Sequence, residues 1–219
     1  MTIKLYDNSI DLSAVNLIEQ TLYSPRTSWN IPSSGFTTTY DPNLEEKIRI
    51  NPQIVDSSQF THQICSNGII HSNLYPLISA VISNWFGNHF PIEDEQKKIN
   101  YQISFLRIKS NMMILQKVQR ENNIFYNIPH VDLIDKSKIS NKGHMIVFLY
   151  YVSDSDGDTF FFDDKLGLNI KERVSPKKGR AVLFDGYHIH ASSPPQKHKS
   201  RCVINANILS PFPVTQMKD

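Results

Sequence analysis

The sequence has little cysteine, no long apolar run and almost no net charge. Two cysteines in 219 residues, Cys65 and Cys202, cannot form a disulfide framework, and they fit a reducing compartment. No apolar stretch approaches the roughly 18–20 residues that span a bilayer, and the first residues lack the apolar core of a signal peptide. The net charge of +2 falls short of the basic surface of a dedicated nucleic-acid binder. We expect a cytoplasmic protein with no membrane partner, and nothing in the composition implies nucleic acid.

What is present indicates one globular domain over residues 1–219, because 40% of the residues are hydrophobic and the length supports a real core. Apolar residues at helical spacing predict a helix over about 11–23 and an amphipathic helix over about 72–86. Residues 24–60 are rich in proline, serine and threonine and predict a loop with a short strand near 36–40. We therefore expect a helical and loop part over about 1–98.

From about residue 99 to 210 the chain changes to short β-prone runs separated by turn residues. Many short strands at this spacing are typical of a sandwich or barrel, and helices followed by strands favour a β core with helices on one face. The predicted fold class is α+β, mostly β. Candidate strands include 101–108, 112–118, 124–131, 145–152, 159–163, 181–185 and 202–209.

One short motif, His130-Val131-Asp132, offers a metal-ligand pair. On an extended strand, residues two apart point to the same face. His130 and Asp132 would then supply two thirds of the 2-His-1-carboxylate set that binds iron in non-heme oxygenases. By itself the motif is weak, since a solvated histidine and aspartate at a strand end give the same pattern.

A second stretch downstream supplies the missing groups. His188 and His190 both follow the strand candidate 181–185 and share a face by counting, so either is a candidate third ligand. Arg201 lies eleven residues after His190. Its planar guanidinium is suited to binding a carboxylate with two parallel hydrogen bonds. The spacing to Arg201 favours His190 over His188.

These motifs together resemble the 2-oxoglutarate/Fe(II)-dependent dioxygenases, particularly the prolyl-4-hydroxylase-like branch and its small members in bacterial viruses and marine microbes. The resemblance covers about residues 100–209 and rests on motifs that occur in the family's order. They are His130-Val131-Asp132, Asp156-Gly157-Asp158-Thr159, Pro176 through Phe184, His190-Ala191-Ser192-Ser193-Pro194 and Arg201. Two positions depart from the usual pattern: Asp156 replaces a glycine, which suits a turn with unusual φ, and Val203 replaces a serine.

The resemblance implies a double-stranded β-helix, or jelly-roll, core with the N-terminal helices packed on one face. It implies Fe(II) bound by His130, Asp132 and His190, and 2-oxoglutarate as co-substrate with its far carboxylate on Arg201. Tyr151, rather than Tyr150, is the tyrosine expected to contact that carboxylate. Ascorbate is the accessory reductant that the branch suggests. The implied reaction is hydroxylation of an unidentified substrate, which is a prolyl or other protein residue, a peptide, a small molecule or a nucleobase.

Two alternatives remain open at this point. The chain is either an active hydroxylase or a jelly-roll module without that activity, including a cupin-like metal site that does not use 2-oxoglutarate. The basic residues Arg107 and Lys109 are interpreted as solvated strand ends, and Asn205 as either a pocket residue or a core amide. Segments 24–60 and 133–143 are expected to fold over the site as substrate lids.

Overall fold

The computed structural model describes residues 2–31, 51, 53–55, 57–92, 101–117, 124–132, 143–163 and 169–219. Within these ranges the chain forms ten strands and two α-helices, followed by a short 3-10 helix, Val214–Gln216. The elements in chain order are β1 (Ile3–Tyr6), α1 (Leu12–Leu22), β2 (Phe60–Ser66), β3 (Ile69–Ile70), α2 (Tyr75–His89), β4 (Ser104–Ile114), β5 (His144–Tyr151), β6 (Thr159–Phe162), β7 (Ile170–Val174), β8 (Ala181–Asp185), β9 (His190–Ser192) and β10 (Ser200–Ser210).

The strands form two antiparallel sheets. The major sheet has seven strands in the order β1-β8-β5-β10-β4-β2-β3, and the minor sheet has three in the order β7-β6-β9. Several neighbours in the major sheet are far apart in sequence, as when β10 pairs with both β4 and β5. This two-sheet arrangement is a jelly-roll, so the predicted fold class is confirmed.

Both helices pack on the outer face of the major sheet. Helix α1 begins at Asp11, whose carboxylate accepts a hydrogen bond from the Ser13 N–H. It buries Val15, Ile18 and Leu22 at helical spacing. Helix α2 buries Ile78, Ile82, Trp85 and Phe86. These side chains share one apolar core with alternate residues of β5 and β10, among them Phe148, Tyr150, Ile204 and Ala206.

The opposite face of the major sheet is turned toward the minor sheet. Val147, Leu149, Tyr151 and Val203 pack there against Phe161 of β6. Strand β5 is therefore covered on both sides, and seven of its eight residues are buried. This explains why its sequence is a continuous apolar run rather than an alternating one. The space between the two sheets contains the candidate site residues.

Several predicted elements differ from the observed ones. The strands expected over 101–108 and 112–118 are one strand, β4, and the strand expected over 124–131 contributes only isolated bridges at Tyr126 and His130. Strands β2 and β7 were not predicted. The strand expected near 36–40 and most of the two expected lids lie outside the described residues. Among the described helices, none is long and apolar enough to cross a bilayer.

Candidate metal and co-substrate site

Two histidines are brought together by a backbone bridge. His130 and His190 each donate their N–H to the other's carbonyl oxygen, with both N–O distances at 2.9 Å. This reciprocal pairing adds the irregular segment around His130 to the edge of the minor sheet at β9. It sets the two imidazole centroids 4.6 Å apart. His130 therefore needs no regular strand of its own to face His190.

Asp132 completes a compact three-residue cluster. One ligand atom each from His130, Asp132 and His190 lies within 4.8 Å of the others. Asp132 Oδ2 is 4.0 Å from His190 Nε2. Side-chain exposure is 6% for His190 and 3% for Asp132. Two imidazoles and one carboxylate in this arrangement are the donor set of a facial triad, so the residues present fit a divalent metal such as Fe(II).

Backbone carbonyls select the imidazole tautomers. His130 Nδ1 lies 3.1 Å from the Ile128 carbonyl oxygen, and His190 Nδ1 lies 2.9 Å from that of His188. A carbonyl can only accept, so each Nδ1 carries the hydrogen and each Nε2 keeps its lone pair. This is the orientation that metal-binding histidines use.

Burial and charge favour the ligand forms of all three residues. Burial, and then the neighbouring His130, lower the pKa of His190 to about 4. Burial likewise lowers the pKa of His130. For Asp132, burial alone would raise the pKa, but the positive charges of Arg107 and Lys109 hold it below its usual range. At neutral pH the cluster consists of two neutral imidazoles and one carboxylate.

Three side chains from β4 and β10 hold the Asp132 carboxylate. Arg107 Nη2 donates to Oδ1 at 2.9 Å, and Asn205 Nδ2 donates to Oδ2 at 2.8 Å. The Asn207 amide, oriented to satisfy its neighbours, donates to Oδ2 at 3.3 Å and accepts from Arg107 at 3.0 Å. The interpretation of Arg107 and Lys109 as solvated strand ends was therefore wrong: both face the site. Of the two readings of Asn205, the pocket residue is the one observed.

A second group of polar residues surrounds Arg201 on the same inner face. Arg201 Nε donates to the Gly157 carbonyl oxygen at 2.7 Å, and Nη2 donates to Thr159 Oγ1 at 2.8 Å. Tyr151 shares Thr159 Oγ1 through a 2.6 Å hydrogen bond, and the Arg201 guanidinium carbon lies 5.6 Å from the Tyr151 ring centre. The sequence shows residues 157–159 as part of a motif, but it gives no sign of the contact between Thr159 and Arg201.

Arg201 is a buried cation without a charged partner. Only 3% of the residue is exposed, and burial lowers its pKa. Among the described residues no carboxylate oxygen lies within ion-pair distance of its guanidinium. Asp158, which lies between Gly157 and Thr159, pairs instead with Arg173. A buried charge is costly unless it is paired. The residues around Arg201 therefore fit the carboxylate of a bound ligand such as 2-oxoglutarate.

Gly157 is required by the close approach of three chain segments. A Cβ atom at this position would lie 2.5 Å from the Ser193 carbonyl oxygen and 3.0 Å from Arg201 Cδ. Asp156, which stands where the family usually has a glycine, does not adopt a positive φ. The expectation of an unusual φ at this position was therefore wrong. The Asp156 carboxylate instead accepts hydrogen bonds from the backbone N–H groups of Gln196, Lys197 and His198. Asp156 thus shapes the turn that leads into β10.

The competing candidates lie elsewhere. His188 precedes β9 in a bend, packs edge-on against Phe161 and Phe184, and is not part of the three-residue cluster. Tyr150 faces the helices, in the outer core, whereas Tyr151 faces Arg201. Alternation along β5 separates the two tyrosines in this way.

Comparison with known proteins agrees with this geometry. Residues 115–209 match the family model of the 2OG-Fe(II) oxygenase superfamily, so the resemblance seen in the sequence is confirmed. The matched segment includes His130, Asp132, Tyr151, His190 and Arg201. The superfamily implies Fe(II) and 2-oxoglutarate; ascorbate has no specific support. A search of curated proteins finds no match to the chain.

Solved structures share the fold at low sequence identity. An oxidoreductase of the 2OG-Fe(II) oxygenase family from Burkholderia pseudomallei is 10% identical with a TM-score of 0.57, covering 96% of this chain and 86% of its own. A prolyl-4-hydroxylase from Pseudomonas putida is 11% identical with a TM-score of 0.50, covering 94% and 92%. The α-ketoglutarate-dependent epimerase SnoN from nogalamycin biosynthesis is 12% identical with a TM-score of 0.50, covering 95% and 77%. At these identities the likeness establishes the jelly-roll fold alone.

Proposed function

We propose that this protein is an Fe(II)- and 2-oxoglutarate-dependent oxygenase that hydroxylates a C–H bond of its substrate. The observation that carries the proposal is the compact His130–Asp132–His190 cluster on the same interior as Arg201, a buried cation without a carboxylate partner among the described residues. A metal-binding module that does not use 2-oxoglutarate would need the three-residue cluster but not Arg201, and an inactive module would need neither. Nothing in the described residues specifically favours that alternative.

The proposed roles follow from the contacts of each side chain. His130 and His190 offer Nε2, and Asp132 offers Oδ2, to the metal. Arg107 and Asn205 keep the carboxylate from rotating. Three ligands from one side leave the remaining positions of an octahedral metal for other groups.

The co-substrate side of the site uses Arg201, Thr159 and Tyr151. Arg201 binds the far carboxylate of 2-oxoglutarate, and the contacts of its guanidinium with Gly157 and Thr159 fix the direction of its remaining N–H groups. The Tyr151 hydroxyl lies beside this pair. Val203 and the apolar side chains around it exclude water from the same interior. When bound, Fe(II) supplies the oxidation, in which dioxygen and 2-oxoglutarate yield carbon dioxide, succinate and one hydroxyl group on the substrate.

The substrate class is a finer proposal. Hydroxylation of a prolyl or other protein residue rests on the resemblance to the prolyl-4-hydroxylase-like branch. An epimerase among the fold neighbours means that the fold by itself does not select this reaction. Ascorbate would serve as a reductant only if that branch assignment holds.

Succinate formation tests the proposal. The purified protein with Fe(II), 2-oxoglutarate and air should release succinate slowly without substrate, and His130→Ala or Asp132→Ala should abolish the release together with iron binding. His71→Ala changes an exposed histidine directly after β3, outside the site, and should leave both succinate release and iron binding unchanged. Succinate release that survives in Asp132→Ala would mean that the metal site has been misplaced.

A further inference from the structure

Strand β4 presents two polar side chains to the interior beside the metal cluster. Lys109 and Asn111 are two residues apart and therefore share a face. They lie opposite Asn205 and Val203 of β10. Asn205 donates to Asp132, and Val203 belongs to the inner apolar cluster. Neither Lys109 nor Asn111 has a role in the ligand and co-substrate contacts described above.

Lys109 is a cation without a bound anion. The oxygens of the nearest carboxylate, Asp132, are occupied by Arg107 and Asn205. No carboxylate in the described part of the chain lies within ion-pair distance of the Lys109 ammonium. Burial and then the charge of Arg107 lower its pKa to about 8, against the opposing effect of Asp132. Lys109 is still mostly protonated at neutral pH.

Asn111 has a buried acceptor without a donor. The residue is 8% exposed, and its Oδ1 has no hydrogen-bond partner within the part of the chain that the structure describes. A buried carbonyl oxygen that accepts no hydrogen bond destabilises the folded protein, because it has lost its contacts with water. An N–H or O–H group of a ligand placed on this face would remove that destabilisation.

The charges of the loaded site favour an anion here. With a divalent metal and the 2-oxoglutarate dianion bound, their charges cancel. Asp132, Arg107 and Arg201 then leave an excess of one positive charge, and Lys109 adds another. In a site of low dielectric this excess is a strong attraction for a negatively charged group.

We propose that Lys109 and Asn111 form a recognition pair for the substrate to be oxidised, and that this substrate carries a carboxylate next to an N–H group. Lys109 binds the carboxylate, and Asn111 Oδ1 accepts from the N–H. A phosphate monoester fits less well, because it presents only acceptors at physiological pH and Asn111 needs a donor. The inference rests on the proposed function and specifies its substrate class.

Binding of a minimal probe tests the pair. N-acetylglycine has a carboxylate beside an N–H group, and N-acetylglycinamide is its neutral counterpart. The protein is loaded with Zn(II) and saturating 2-oxoglutarate, and binding is followed by ligand-observed NMR. We expect the acid to bind weakly to the wild-type protein and the amide to bind about tenfold more weakly or worse, the scale of one charge-assisted hydrogen bond.

Two variants distinguish the pair from a general charge effect. Lys109→Met removes the cation, and the isosteric Asn111→Asp gives Lys109 an internal partner; each should weaken binding of the acid about tenfold or more. Lys171→Met, at an exposed position of β7, should not change it. Melting temperatures establish that each variant is folded.

Binding of 2-oxoglutarate, measured separately for each protein, separates the possible failures. If wild type and Lys109→Met bind 2-oxoglutarate equally but bind acid and amide alike, the recognition pair is wrong and the oxygenase stands. If Lys109→Met loses 2-oxoglutarate, the lysine serves the co-substrate and the pair is also wrong. If the wild-type protein does not bind 2-oxoglutarate, the proposed function itself fails.

Discussion

At the scale of single residues, Asp132 of the proposed metal site is held by side chains that belong to none of the sequence motifs. The Asp132 carboxylate accepts from Arg107 on β4 and from Asn205 on β10. Both donors come from strands paired at long range, with Asn207 opposite Arg107 and Asn205 opposite Lys109. The orientation of Asp132 therefore depends on the register of two strands as well as on its own segment.

Replacing Asn205 with alanine should weaken metal binding about 10- to 100-fold, the usual range for a lost partner of a metal ligand. The carboxylate would lose the donor that fixes Oδ2, while the His130–His190 bridge stays intact. Titration of the metal-free protein with Mn(II) or Zn(II) measures the affinity. Asn84→Ala, on the exposed face of α2, is the matched control. Equal metal affinity in wild type and Asn205→Ala would show that Asn205 does not position Asp132.

The same scale shows what could be predicted from the sequence. His130, Asp132, His190 and Arg201 stand in short motifs with recognisable spacing, and the structure places them on one interior. The contacts of Arg107 and Asn207 with Asp132 have no local signal, because neither residue is near Asp132 in the chain and only the sheet register brings them there. Their roles as ligands and binding residues stay predictions until tested.

At the scale of elements, the helices were predictable and several strands were not. Helices α1 and α2 bury residues at three- and four-residue spacing, which the sequence displays directly. In β4 the polar run Lys109-Ser110-Asn111 interrupts the apolar pattern, so the sequence predicts two strands where the structure has one. Those polar residues are tolerated because they face the site or bond to β10, as Ser110 does to the Val203 carbonyl oxygen at 2.9 Å.

The turn before β6 provides the element-scale prediction. Gly157→Ala would put a Cβ 2.5 Å from the Ser193 carbonyl oxygen, and the backbone must shift. Such overpacking costs about 1–3 kcal/mol of folding free energy. The shift also moves the carbonyl oxygen that accepts from Arg201, so affinity for 2-oxoglutarate should fall as well. Urea unfolding and calorimetric titration measure the two effects.

Gly87→Ala is a control for which we expect the opposite effect on folding free energy. Gly87 lies within α2, and a Cβ there meets no atom within 4 Å. The substitution should stabilise the protein by about 0.5–1 kcal/mol and leave 2-oxoglutarate affinity unchanged. If Gly157→Ala behaves like Gly87→Ala, the close packing around Arg201 has no functional consequence.

At the scale of the whole molecule, the chain ends close on each other and on the major sheet. Strand β1 pairs with β8 at the sheet edge. Lys4 Nζ donates to the Met217 carbonyl oxygen at 2.5 Å, and the Tyr6 hydroxyl donates to that of Lys218 at 2.9 Å. No local sequence pattern predicts this pairing, because β1 and β8 are separated by most of the chain.

Asp7 at the end of β1 gives a pH-dependent prediction. Hydrogen bonds from Arg180, and to a lesser degree Lys177, lower the pKa of its carboxyl to about 2. A lowered folded-state pKa contributes stability above the ordinary aspartate value near 4, and this contribution is lost as the pH falls through about 2. Because 39% of the Asp7 side chain is exposed, the contribution should stay below about 1 kcal/mol.

The difference in unfolding free energy between wild type and Asp7→Asn should therefore be small and constant from pH 7 to pH 5, and should shrink toward pH 2. Urea unfolding at several pH values measures it, with the exposed Asp163→Asn as a control. A difference in unfolding free energy that grows as the pH falls would contradict the ion pairs of Asp7 with Lys177 and Arg180.

The central claim is that one interior binds Fe(II) through His130, Asp132 and His190 and binds 2-oxoglutarate through Arg201. The most direct measurement is anaerobic titration with Fe(II) and 2-oxoglutarate, monitored by the weak visible charge-transfer absorption that such chelates give. We expect the band in the wild-type protein, its loss in Asp132→Ala, and a 2-oxoglutarate requirement about 10- to 100-fold higher in Arg201→Ala. Iron binding without the band in the wild-type protein, or near-normal 2-oxoglutarate affinity in Arg201→Ala, would contradict the account.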